Sequence, residues 1–165
     1  MISYNYPNWK EQSCYRLACR DPLPCPPAST TFQAVPKENQ SLTEGTSAQI
    51  KFNYASIPNS LTYFPSIGSF KAPRAGNYIF TVAVSWTATT ETTLNLWLNT
   101  NSLNVLETTS RQLQAGTTTA LLSGIVALAS QQIVTVKAKA DQDCTINGGV
   151  PAPTALSWFS GSAAV

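Results

Sequence analysis

No histidine occurs among the 165 residues, which removes the commonest general base from any nucleophilic hydrolase constellation. A serine or cysteine nucleophile would have to rely on a lysine or a carboxylate instead. Acidic residues number only 8 and are scattered, with one close pair in Asp141-Gln142-Asp143. Two carboxylates at i and i+2 in a loop form a fragment of a calcium site, but the ion takes about six to eight oxygens. Asp141 and Asp143 are therefore weak calcium candidates, a solvated turn is the simpler reading, and no metal is assigned. Ser123-Gly124 and Ser160-Gly161 do not form a nucleophile elbow, and no glycine loop is built to cradle phosphate. The residues predict no active site and no cofactor.

Cys14, Cys19, Cys25 and Cys144 are unevenly placed. Their spacing gives no paired CxxC ligands for zinc, and they read as free thiols or as one or two disulfides. The aromatic residues offer a different chemistry, because Tyr63, Trp86, Trp97 and Trp158 present ring faces of the kind that stack on sugars. Most of them fall in strand positions that read as core. Trp97 is the exception, since it alternates away from Leu96 and Leu98, and it keeps a host glycan among the partners to be tested.

The elements that must hold these side chains are strands. Threonine, serine and aromatic residues abound and long charged helix formers are few, which predicts an all-β fold. Residues 1–44 read as an extended arm in which Pro7, Pro22, Pro24, Pro26, Pro27 and Pro36 preclude a long helix. That arm nevertheless carries Tyr4, Tyr6, Trp9, Tyr15, Leu17 and Phe32, and apolar groups in a segment without a core need a surface to bury against. The first five are the anchor candidates. Residues 45–165 form the domain, with strands expected over 48–54, 69–72, 76–87, 120–128, 133–139 and 155–161. The threonine-rich segments 87–93 and 117–119 are expected as connecting loops.

Segment 76–87 alternates Tyr78, Phe80, Val82, Val84 and Trp86 with Ile79, Thr81, Ala83 and Ser85, so the bulky face predicts the inside of a sandwich. Its second face is small and uncharged, and segment 120–128 is apolar on both faces. Such strands need cover on both sides, and with no helix to supply it other subunits can. Ile79, Ala83, Leu121, Ile125 and Trp158 are the interface candidates.

The run Phe52-x5-Pro58-x4-Tyr63-x6-Phe70-x5-Gly76-x-Tyr78-x-Phe80-x-Val82 resembles the signature of the complement component 1q globular-head family, whose members are jelly rolls related to tumour necrosis factor. Pro58 and Val82 depart from the pattern, and Asn59 stands beside the first departure. The resemblance implies a jelly-roll β-sandwich, a homotrimer, and a core containing Phe52, Tyr63, Phe70, Tyr78 and Phe80. It covers residues 46–165 and carries no collagen-like stalk.

The net charge is +2 and no Lys/Arg stripe exists, which argues against nucleic acid as a partner. No run of about 18 apolar residues could span a bilayer, and the first residues lack the basic and apolar regions of a secretory leader. These features together lead us to expect a virion structural protein made in a host cytoplasm. It would be a trimeric capsid decoration, cement or fibre-knob protein of a phage or other virus, held on a major capsid protein by its arm. A receptor- or glycan-binding lectin-like module is the alternative.

Overall fold

A computed structural model describes residues 31–57, 62–101, 103–149 and 157–164. Among the described residues there is no helix. The strands are β1 (Phe32–Val35), β2 (Gln40–Leu42), β3 (Ser47–Gln49), β4 (Tyr54–Ile57), β5 (Tyr63–Phe64), β6 (Ser69–Lys71) and β7 (Gly76–Ala88). They continue with β8 (Thr92–Thr100), β9 (Leu103–Gln112), β10 (Gly116–Leu128), β11 (Ile133–Ala140), β12 (Cys144–Ile146) and β13 (Trp158–Ala163). Sheet A runs β2-β12-β7-β13-β1-β4 with β10 also on β7, and sheet B runs β5-β6-β11-β8-β9 with β3 also on β11. All the pairings are antiparallel.

Strand β7 organises sheet A. Along one edge it pairs throughout with β10, from Gly76↔Leu128 to Ala88↔Gly116, while β13 and β12 divide its other edge. Its alternate residues Tyr78, Phe80, Val82, Val84 and Trp86 are all buried between the sheets, where Leu94, Leu96 and Leu98 of β8 and Val134 and Val136 of β11 meet them from sheet B. Period-two alternation with one bulky face is what places a strand this way.

Phe52, Tyr63, Phe70, Tyr78 and Phe80 lie in this core at 0 to 1% exposure. Phe32 stacks on Tyr63 with ring centroids 4.5 Å apart and meets Phe159 edge-on at 4.9 Å, and Phe70 meets Phe80 edge-on at 5.2 Å. Such contacts add to the burial energy of each ring. The polar ends of the tyrosines are satisfied: Tyr63 Oη donates to the Phe52 carbonyl at 2.6 Å, and Tyr78 Oη to the Arg74 carbonyl at 2.8 Å.

Three sequence expectations change. The sandwich begins at β1 rather than at residue 45: Phe32 belongs to its core, and β1 lies between β13 and β4. Thr117, Thr118 and Thr119 are not a loop but the start of β10, opposite Thr87, Trp86 and Ser85; likewise Thr87, Thr92 and Thr93 are in strands. Threonine is a good strand former, and Thr87 and Thr117 join their hydroxyls across the ladder at 2.7 Å. Finally, the strand expected over 48–54 is split into β3 and the start of β4.

Candidate functional site

The outer face of sheet A is built in rows by the β10–β7–β13 register. Leu121, Ala83 and Trp158 form one row, Ser123, Thr81 and Ser160 the next, and Ile125, Ile79 and Ser162 the third. All five interface candidates thus fall on the first and third rows, about 13 Å apart at the usual strand rise. Leu121, Ile125 and Ile79 are 60%, 64% and 42% exposed, whereas Ala83 is buried and Trp158 half-buried.

Several polar groups on this face are paired within the chain. Thr81 and Ser123 join hydroxyls at 3.1 Å, and Ser123 Oγ also reaches the Phe80 carbonyl at 3.3 Å. Above Ala83, Asn147 Nδ2 donates to Ser85 Oγ and to Thr87 Oγ1, both at 3.0 Å. Ser157 Oγ accepts from the Ser85 backbone at 2.9 Å and donates to the Asn147 carbonyl at 2.8 Å. None of these three rows carries a charge. A face of exposed aliphatic groups and small hydroxyls without charge can be covered by protein without stranding an ion. At the other edge of the same sheet, Tyr54 and Ile57 of β4 are also exposed.

Sheet B presents the opposite surface. Its outer rows hold Lys137, Lys139, Glu107 and Arg111, and Arg111 pairs with Glu91. Of the aromatic groups considered for sugar contact, Tyr63 and Trp86 are core, Trp158 lies on sheet A, and Trp97 stands half-buried on the outer side of β8.

Asp141 and Asp143 are not brought together as a cation site. Asp141 Oδ1 accepts the Thr93 backbone N–H at 2.7 Å and Asp143 Oδ1 that of Glu44 at 2.7 Å, so each carboxylate pins a strand end. No group of three or more metal-ligating side chains occurs among the described residues. Cys144 is a free buried thiol; burial, and then the charges of Asp143 and Asp141, push its pKa up to about 11, which keeps it protonated and unreactive at neutral pH. Burial likewise raises the Tyr63 phenol far above its usual value. The anchor candidates Tyr4, Tyr6, Trp9, Tyr15 and Leu17, with Cys14, Cys19 and Cys25, lie outside the described residues.

The family model of the C1q domain matches residues 31–162, a span that starts just before β1. Eiger, a TNF from S. frugiperda, is similar in structure with a TM-score of 0.64 at 10% identity, covering 83% of this chain and 93% of its own. The globular domain of zebrafish complement 1qA protein superposes with a TM-score of 0.53 at 16% identity, covering 82% and 96%. At these identities what is shared is the fold. No curated protein sequence matches the chain.

Proposed function

The chain belongs to the C1q domain family, and on that footing we propose that it is a non-enzymatic, homotrimeric structural protein of a virion surface, a capsid decoration, cement or fibre-knob protein held by its N-terminal arm. C1q/TNF-like domains are generally non-enzymatic and commonly trimeric. The observation that carries the trimer is the uncharged outer face of sheet A, with Ile79, Leu121 and Ile125 left in water. Covering each of these side chains contributes about 1 to 2 kcal/mol, since roughly half of each remains to be buried. A cyclic assembly joins two different patches of neighbouring copies, and Tyr54 and Ile57 on the β4 edge supply the second patch.

Attachment is assigned to the arm for its composition. Tyr4, Tyr6, Trp9, Tyr15 and Leu17 give a proline-rich segment the aromatic groups that dominate interface energetics, and three arms on one trimer act multivalently. The test is co-sedimentation with particles that lack this protein, comparing the full chain with one lacking residues 1–30, which leaves β1 intact. The truncated chain stays trimeric and remains in the supernatant if the reading holds. Equal binding by both would move the attachment surface to the β-sandwich.

A further inference from the structure

We propose that the outer face of sheet B, centred on Trp97, is a binding platform for a pyranose ring of a glycan. The ladder register puts Lys137 and Glu107 on either side of Trp97 in one row. The rows along β8 on either side place Thr135, Asn99 and Asn104 beyond it in one direction, and Lys139, Asn95 and Thr109 in the other. Neighbours on one face of a sheet are about 7 Å apart along a strand and about 5 Å across it. This one indole is therefore ringed by amides, hydroxyls and charges on side chains long enough to reach the rim of a sugar stacked on it.

The hydrogen-bonding capacity around Trp97 is only partly used. Thr109 Oγ1 donates to Asn95 Oδ1 at 2.8 Å, and Asn99 Nδ2 to Asn104 Oδ1 at 3.3 Å. Asn95 Nδ2 and the exposed Asn104 Nδ2 enter no bond among the described residues, and neither does the Trp97 indole N–H, whose ring also stacks on no other aromatic there, while Asn99 is buried behind them. On the outer face of sheet A the exposed groups are largely aliphatic, and the hydroxyls of Thr81 and Ser123 are joined to each other. A ring face offers the C–H side of a sugar its apolar contact, and the open amides with Lys137, Lys139 and Glu107 match the hydroxyls at its rim. In a trimer closed through sheet A, three such platforms stay in water and engage a branched or clustered glycan together.

The experiment is an NMR titration of the 15N-labelled full chain, following the indole resonances of its tryptophans. The probes are an N-acetylglucosamine trimer, N-acetyllactosamine and sialyllactose, each up to about 10 mM, beyond the millimolar range of weak specific binding. The Trp97 resonance moves with at least one of the three, and Trp97→Ala weakens that binding at least about tenfold with an unchanged melting temperature. Glu107→Gln and Lys139→Gln, at exposed positions, weaken it as well and report on the platform even where Trp97→Ala folds poorly. An immobile Trp97 resonance with all three probes, a shift at Trp158 in its place, or binding indifferent to all these substitutions would overturn the proposal. The trimer is judged separately by mass, so a monomer that binds sugar and a trimer that does not are distinguishable results.

Discussion

Ile79 and Ile125 stand directly opposite each other across the β7–β10 ladder, and both are exposed. Cross-strand aliphatic pairs stabilise a sheet by fractions of a kcal/mol, which does not account for two isoleucines facing water on the same uncharged face as Leu121. The proposed cover by a neighbouring copy would account for them, and it would leave Thr81 and Ser123 satisfied by each other.

The core of the sandwich should be most sensitive at Phe80, which is fully buried and in ring contact with Phe70, Tyr78 and Phe159. Phe80→Ala removes about 3 to 5 kcal/mol of stability, the usual loss for a buried aromatic. Urea or thermal unfolding measures it. A melting temperature close to that of the parent would mean that β7 does not place Phe80 between the sheets.

Gly161 is needed for its lack of a side chain. A Cβ added there would lie 2.7 Å from Phe32 Cε1 and equally close to Phe80 Cδ1, and both rings are fully buried. Gly161→Ala is expected to cost about 1 to 3 kcal/mol through overpacking, and the double variant Gly161→Ala with Phe32→Leu to recover part of that loss. Unfolding of the three chains side by side checks the coupling. Loss from the single variant with no recovery in the double would place the strain elsewhere than on Phe32.

Cys144 gives a pH signature. Its thiol sits at about 11 in the folded chain against an ordinary 9.0, so between those values the unfolded chain gives up a proton that the folded chain keeps. The folded state then binds more protons, and stability falls as pH rises through that window. The contribution is fully present below 9 and lost on approaching 11. Unfolding free energies of the parent and of Cys144→Ala should converge or cross as pH rises from 8 to about 11, the parent falling more steeply. Parallel lines would show that the thiol ionises alike in both states.

What the sequence discloses here depends on whether the hidden face of a strand is apolar. Strand β7 was legible because Tyr78, Phe80, Val82, Val84 and Trp86 mark its inner face at period two. In β9 the inward positions after Leu106 include Thr108, Ser110 and Gln112 while Glu107, Thr109 and Arg111 point outward, so alternation carries no hydrophobic contrast and the strand went unread. Strand β1 is short and ends against Pro36; its place between β13 and β4 is set by partners distant in sequence. The assembly candidates were visible as a second apolar face, but only register joins Leu121, Ala83 and Trp158 in one row. The same holds for the surroundings of Trp97, which were invisible until the ladders set Lys137 and Glu107 beside it.

Association through sheet A is the central claim, and the molar mass of the full chain in solution tests it most directly. Light scattering at micromolar concentration should give about 53 kDa, three times the 17.7 kDa of one chain. Ile125→Asp, which puts a charge on the exposed face without entering the core, should give a folded monomer with unchanged circular dichroism. A parent that is a monodisperse 17.7 kDa species with native β-sheet dichroism would contradict the account.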